Sequence, residues 1–434
     1  MLMYVIAIED LVRSPILRSQ VIELLKSMAV RMPEPYGSLE LLSLYPLANF
    51  WRFRHGIKAL KEELEPYSIT VRVVPLFLLT RFFYLNWWAL LVYAIQAFAV
   101  ALWIGLRLRP KLLHCRSYPA ALVGLWVKSL FGRPFVFDTR ALYPEEGATL
   151  EEGAKHSRLS EWSFVIWKKI EQRLFAAAEK TTVVSQPSVP IVARYFPRPL
   201  DDLVVVPTCT RVEPRDRLAA WRSEMRGVLD IQDRLVVAYV ASWFDPKPAL
   251  SLFQLFRDVH VSEDWFFLLL VSRTARGGGG GLQQEVEAAL AQEPWLSGRF
   301  YVTSVEQRQV ARYLAAADLG ALPVGRPSRA AKDPRYAHAA ATRISIKFAE
   351  YLACGLPVVC SHHAGAAADI TREQGIGIVY DEVSLESMRE WLNHWLENRS
   401  AISERCWQLA RERFSFEAVG ARYLELYQSI VSHH

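Results

Sequence analysis

The sequence predicts an α/β protein of two Rossmann-like, doubly wound domains, and three observations predict it. Short β-rich apolar runs alternate with helical patterns, which calls for parallel β-α-β units in a sheet covered on both faces. The alternation restarts near Leu203–Pro207. The 434 residues, 52% hydrophobic and 22% charged, suffice for two cores. This composition excludes a disordered, fibrous or disulfide-knot protein.

In chain order, YVIAI is the first strand, since no basic residue precedes it and Glu9 and Asp10 follow it, unlike a signal peptide. LRSQVIELLKSMA is helical, SITVRVV a strand, and a long apolar segment leads to the strand LLHC. PAALVGLWVKSL is helical, FVFD a strand, WSFVIWKKIEQRLFAAA helical and TTVV a strand. The second domain reads LVVAYVA, ALSLFQLFRDV, WFFLLLV, LQQEVEAALAQ, RFYVT, QVARYLAAA, IKFAEYLA, PVVC and GIGIVY. A helical stretch, Leu385–Ile430, carries Trp391, Trp395, Trp407, Phe414 and Tyr427, which need a surface to cover. The expected divisions are 1–205, 206–395 and C-terminal helices 396–434 at the domain junction. Gly277–Gly281 reads as a linker or a mobile lid.

The five cysteines, Cys115, Cys209, Cys354, Cys360 and Cys406, form no Cys-x-x-Cys pair and are expected as reduced thiols of a cytoplasmic protein, with neither zinc nor disulfides. Residues 1–205 hold 25 Lys and Arg against 18 Asp and Glu, and residues 51–140 hold 13 against 4. Such a surplus suits phosphates, an anionic bilayer surface or nucleic acid, or is a solvated basic face. Phe82–Leu106 is 25 uncharged residues between Arg81 and Arg107, long enough to span a bilayer. It also reads as a buried helix or one whose outer face dips into the interface. The following strand argues against a crossing, and the grouping Arg81, Phe82, Phe83, Tyr84, Trp87 and Trp88 favours the interface.

In doubly wound domains ligands gather at the carboxyl ends of the strands. After the first strand come Ser14, Arg18, Ser19 and Gln20, at a helix start able to receive an anion. No glycine lies in this turn, so the dinucleotide fingerprint is absent. His114 and Arg116 are two apart and point the same way in a strand, though a histidine among apolar strand residues is more often a hydrogen-bonded core residue. Ser117 and Tyr118 follow. Asp138 and Arg140 form a structural ion pair or part of a site, with Glu145 beyond. In the second half, Ser242 and Lys247 follow a strand, and Lys247 is placed for a phosphate. Lys347 and Glu350 share a helix face, as a surface pair or as a site with a buried carboxylate that needs a partner. Gly355 ends their helix.

The run Lys347, Glu350, Tyr351, Ala353, Gly355, Pro357, Val358, Val359 resembles the signature of group 1 (family 4) retaining glycosyltransferases of the GT-B fold. HCRSYPAALVGLWVKSLFGRPFVFDTRALYPEEG resembles the first-domain segment of bacterial cell-wall and surface-polysaccharide members, VVPTC (Val205–Cys209) the inter-domain hinge, and AAADLGALPV the strand before the donor site. The resemblance implies two Rossmann-like domains facing each other across a cleft and transfer of a sugar, with retained configuration, from a nucleotide sugar, UDP- or GDP-linked. It places Lys247, Lys347, Glu350, Ser242, Gly365 and Thr342 at the donor, with Glu350 on the ribose hydroxyls and the two lysines on the diphosphate. It makes His114, Arg116, Asp138, Arg140 and Lys347 the catalytic candidates, and Ser14, Arg18, Ser19, Ser117, Tyr118 and Glu145 the acceptor side. No Asp-x-Asp run is present, so no metal and no tightly bound cofactor are expected. The sequence departs from the family at Thr342 (glutamate in many relatives), Arg116 (histidine in several), Ser242 (usually arginine) and the glycine-free turn Ser14–Ile16.

The expected partners are a nucleotide sugar, a saccharide or lipid-linked acceptor and an anionic membrane surface, for a cytoplasmic protein held peripherally on the cytoplasmic face. The competing readings are a soluble acceptor, a catalytically silent GT-B subunit, and a nucleotide-sugar epimerase. Nucleic acid is not expected, because the aromatics form one apolar block and do not interleave with Lys and Arg.

Overall fold

The computed structural model describes the chain except residues 33–37, 79–86, 150–157, 242–243, 260–263, 273–278, 326–333 and 433–434. It divides into two compact units: Met1–Pro207 with Pro327–Arg343 and Val419–His434, and Thr208–Arg326 with Ile344–Ala418. The helices expected at 396–434 are therefore shared, those up to Ala418 with the second unit and the remainder with the first.

The first unit is built on seven parallel strands, β1 (Leu2–Ala7), β2 (Leu39–Pro46), β3 (Ile69–Leu76), β4 (Leu112–Arg116), β5 (Phe135–Asp138), β6 (Lys180–Val183) and β7 (Leu203–Val205), in the order β3-β2-β1-β4-β5-β6-β7. β1, β4 and β5 are buried at every position, as a parallel sheet covered on both faces demands. Edge strand β3 exposes Thr70 and Pro75, and the proline, lacking an N–H, is tolerated there. β2 is the strand that the alternation pattern missed. Its LELLSLYP runs straight into LANFWR, and a leucine-rich apolar run does not separate strand from helix by period.

The chain steps from β1 to β3 in one direction and from β4 to β7 in the other. Right-handed crossovers then put α1 (Arg54–Leu64) on one face and α2 (Trp87–Trp103), α3 (Ser117–Phe131) and α4 (Arg158–Ala177) on the other. Among the described residues one helix, Trp88–Leu108, is long and apolar enough to cross a membrane. Its inner face is core: Tyr93, Ala97, Ala101 and Ile104 are buried, and the Tyr93 hydroxyl donates to the Pro119 carbonyl at 2.6 Å. At its end Gly105 lies so close to the Phe131 ring that a Cβ would clash with it. The next strand, β4, pairs with β1 in the same sheet.

The second unit holds β8 (Leu235–Ala241), β9 (Trp265–Ser272), β10 (Phe300–Val305), β11 (Leu319–Leu322), β12 (Val358–Cys360) and β13 (Gly377–Val379), parallel, in the order β10-β9-β8-β11-β12-β13. α5 (Pro246–Asp258) follows β8, α6 (Pro334–Thr342) belongs to the first unit, α7 (Ile346–Ala353) precedes β12 and α8 (Ala366–Gln374) follows it; α9 (Phe416–Val431) ends the chain. Gly279–Gly281, read from sequence as part of a linker or lid, instead open a helix, Gly279–Ala291; a first turn tolerates glycine because its N–H groups need no intrahelical partner.

β8 and β11 pair only at Leu319–Val237 and Gly320–Ala238. Beyond that point the Tyr351 hydroxyl of α7 accepts from the Val240 N–H and donates to the Ala321 carbonyl, both at 2.9 Å. One side chain thus satisfies backbone groups left open where the central strands part. Gly320 lies under that ring, and a Cβ there would meet it at 2.5 Å. Gly320→Ala is expected to lose about 2 kcal/mol of stability, read by urea denaturation; an unchanged midpoint would show that the ring moves freely.

Candidate functional site

Three adjacent strand ends of the first unit carry non-glycine residues in the left-handed region: Ile8 (φ +69) after β1, Ser117 (φ +67) after β4 and Arg140 (φ +56) after β5. Such conformations cost of order 1–3 kcal/mol each and gather where function requires them, and a β-branched residue such as isoleucine is a clear outlier. Around them lies a charged cluster. Asp138, at the end of β5, is buried and accepts from the Thr182 hydroxyl at 2.8 Å. Its other oxygen lies 3.4 Å from His114 Nε2 and 4.0 Å from Nη1 of both Arg116 and Arg140. Arg116 Nε donates to Glu9 at 3.3 Å. Arg140 Nη2 donates to buried Gln20 at 3.2 Å, and Gln20 Nε2 to Ser19 Oγ at 3.2 Å. Among the described residues Arg116 Nη1 is buried without a hydrogen-bond partner, leaving a donor for a ligand oxygen.

His114 is core and site at once. It stacks on Tyr4 with ring centroids 4.2 Å apart, and its Nδ1 lies 2.7 Å from the Tyr427 hydroxyl of α9. Burial lowers its pKa, so the imidazole is neutral at physiological pH. Burial pushes the Asp138 carboxyl up, but Arg140, the His114 contact and Arg116 outweigh it and hold the group well below the usual carboxylate range.

Of the other first-unit candidates, Ser19 joins this cluster and Ser117 opens α3 beside it. Ser14 caps a short helix, accepting from the Leu17 N–H at 3.3 Å. Arg18 turns to Glu63, with which it makes a two-pronged ion pair. Tyr118 is buried and bonded to Glu171 in a second cluster, where Lys168 pairs with Glu171 and, at 3.0 Å, with Glu145. Burial lifts the Glu171 carboxyl to about 7 against the pull of Lys168. Thr342 belongs to the first unit, where its carbonyl accepts from Ser185 Oγ at 2.9 Å. Ser242 lies outside the described residues, as do Arg81, Phe82, Phe83 and Tyr84.

In the second unit the carboxyl edge of the sheet collects the donor-side candidates. Lys247 is exposed in the first turn of α5, capped by Asp245, which accepts from the Lys247 N–H at 3.3 Å. The exit of β11 sits against that turn: a Cβ on Gly325 would be 3.2 Å from an Asp245 carboxylate oxygen. After β12 comes Gly365 at φ +64, ψ −134, glycine territory, N-capping α8 and leaving its first N–H groups open to an anion. His362, beside it, is held by Asp381 through its N–H at 2.8 Å and its ring at 2.7 Å. Glu350 is buried in α7, bonded to the Gln307 amide, one turn beyond Lys347. Burial raises the Glu350 carboxyl to about 7, opposed by Gln307 and Lys347; burial lowers the half-buried Lys347 to about 8. Gly355 takes φ +74 just past the helix, as its place in the sequence implies.

Sequence reasoning missed the roles of Glu9, Gln307, Tyr4 and Tyr427. Glu9 had a signal, its position immediately after the first strand; the tyrosines and Gln307 had none, because each acts through a residue distant in the chain. The five cysteines are buried free thiols.

Residues 43–209 match the model of the Glycosyl transferase 4-like domain. No curated protein sequence matches the chain. Solved structures share its whole length: HepE of Anabaena in complex with UDP (16% identity, 99% of each chain, TM-score 0.64), a glycosyltransferase of Rickettsia africae (12%, 100% of this chain and 99% of that one, 0.66), and sucrose-phosphate synthase of Thermosynechococcus elongatus (14%, 100% of each, 0.66). The fold is the two-domain α/β architecture of the GT-B glycosyltransferases, and its first unit carries a glycosyl transferase 4-like segment.

Because the folded chain holds a proton on Glu350 up to about pH 7, while an unfolded glutamate releases it near 4.3, wild-type stability falls as pH rises between those values and levels off above. Glu350→Gln keeps the oxygen facing Gln307 and is expected to remove this slope, gaining up to about 3 kcal/mol over wild type at pH 8 relative to pH 4.5; equal slopes in urea titrations would exclude a buried, protonated Glu350. Asp138 has the opposite sign, its contribution being present above about pH 4 and lost as pH falls through its lowered pKa. Asp138→Asn, which removes the buried carboxylate between two guanidinium groups, is expected to cost about 3 kcal/mol at pH 7, with the gap to wild type narrowing in acid.

Proposed function

We propose that this chain is a retaining glycosyltransferase that moves a sugar from a nucleotide sugar to a saccharide or lipid-linked acceptor in surface-glycan synthesis, on the cytoplasmic side of the membrane. The observation that carries the reading is Glu350: a buried carboxyl whose hydrogen-bond partner among the described residues is the Gln307 amide, at the ligand-binding edge of a doubly wound sheet, in the run Lys347–Val359 that resembles the family's donor signature. Such a group is starved of hydrogen-bond donors, and a ribose diol supplies two. Lys247 and Lys347 then neutralise the diphosphate, where negative charge grows as the glycosidic bond breaks. The Anabaena structure solved with UDP and glucose has the same fold (15% identity, 99% of each chain, TM-score 0.63), which supports UDP as the donor nucleotide. On the acceptor side, guanidinium and carboxylate groups balanced around Asp138 suit sugar hydroxyls, which both donate and accept.

Thermal unfolding of wild type and Glu350→Ala with UDP, GDP, ADP or CMP tests this. A nucleotide near a hundred times its dissociation constant stabilises by about 2.7 kcal/mol, a rise of a few degrees. UDP is expected to raise the wild-type midpoint and not that of Glu350→Ala. No shift with any nucleotide, together with no hydrolysis of UDP-glucose, would leave the chain a catalytically silent subunit.

A further inference from the structure

The outer face of α2 is exposed among the described residues. Trp88, Leu91, Ile95 and Phe98 recur at helical spacing along it, with Ile95 62% exposed, and form a stripe about 15 Å long. α3 and α4 lie on the same side of the sheet and add Leu130, Trp162 and Val165, all exposed, with Trp162 at 66%. Leu106 is exposed just past the end of α2, and Phe77, whose backbone bonds the Gln96 side chain, is exposed beside its middle. Soluble proteins seldom leave so many large apolar side chains exposed on one face.

The charge around that face identifies the partner. Between Glu65 and Asp138 the chain has no acidic residue and eight Lys and Arg, of which Arg116 is buried in the strand-end cluster and Arg72 and Lys128 pair with Glu40 and Glu179. Among the described residues Arg107, Arg109 and Arg133 have no ion pair. They sit where α2 and α3 end together, the contact fixed by Gly105 against Phe131. A second copy docking isologously would set this cationic rim against itself, and a neutral protein surface would leave the rim unanswered. An anionic headgroup layer answers both features, taking the apolar stripe at the acyl boundary and the arginines among the phosphates. Tyr93, Ala97 and Ala101 hold the inner face in the core, so only one side of the helix meets lipid.

We propose that the outer faces of α2, α3 and α4 form a monotopic docking surface for an anionic lipid bilayer, seated by Trp88, Leu91, Ile95 and Phe98 and steered by Arg107, Arg109 and Arg133. This surface names the partner of the transferase reading without resting on its donor chemistry, so the two fail separately.

The test is co-sedimentation of the full chain with phosphatidylcholine vesicles, with and without about 30% phosphatidylglycerol, beside the UDP thermal shift. Wild type is expected to pellet with the anionic vesicles at least about tenfold better than with the neutral ones. Ile95→Glu/Phe98→Glu is expected to stay in the supernatant while keeping its unfolding midpoint and UDP response, and Arg107→Glu/Arg109→Glu to lose the preference for anionic lipid. Wild type remaining in the supernatant with both vesicles, equal binding to both, or undiminished binding by the Ile95→Glu/Phe98→Glu chain would overturn the proposal. So would a lipid-free dimer that this double substitution dissociates, since the face would then be a contact between copies.

Discussion

The central strands of the second unit part, and the placing of Lys347 and Glu350 follows from it. β8 and β11 share a ladder for two residue pairs and then diverge. The backbone groups exposed by the divergence cannot stay unpaired in a core, and Tyr351 closes the gap with one hydroxyl. That bond fixes the height and rotation of α7, and hence where Lys347 and Glu350 stand. Gly320 has to lack a side chain for the ring to reach its place. The signature run is thus a structural statement as much as a chemical one: its tyrosine holds the helix, its glutamate and lysine face the edge, and its glycine lets the chain turn back into β12.

The same economy governs the first unit, where the strand order also reverses at the centre, between β1 and β4. A charge removed from water requires an answering charge or hydrogen bond. Asp138 obtains it from Thr182, His114 and two guanidinium groups held at 4.0 Å. The spacing is loose enough that Arg116 keeps a buried donor open. The three left-handed residues at the strand ends indicate that the backbone is held here against its own preference, which packing elsewhere must offset. His114 shows how a buried histidine serves both ends, its ring stacked in the core and its nitrogens divided between the site carboxylate and the last helix.

Much of this was legible in the residues. Alternating period identified the β-α-β units, and the carboxyl-end rule picked out His114, Arg116, Asp138, Arg140 and Ser19, which the fold does gather. Lys347, Glu350 and Gly355 were readable because helical spacing and a terminal glycine are local signals. Other elements were not readable. β2 hid in a leucine-rich run that has no distinguishing period, and Arg18 and Tyr118 stood at promising positions yet were claimed by Glu63 and Glu171. Nothing within a few residues of either side chain announced those partners. The apolar segment before β4 permitted three readings because composition alone does not say which face of a helix is covered.

The sequence by itself determined the kind of most elements, the existence of two α/β units and the ends of most strands, because periodicity and capping act over a few residues. The tertiary structure alone decided which charges meet. Tyr427 reaches His114 across 313 residues of chain, Gln307 reaches Glu350 across 43, and the exposed stripe of α2 became a surface only when its other face was packed. Pairing, desolvation and exposure depend on groups brought together by folding, and no local pattern encodes them.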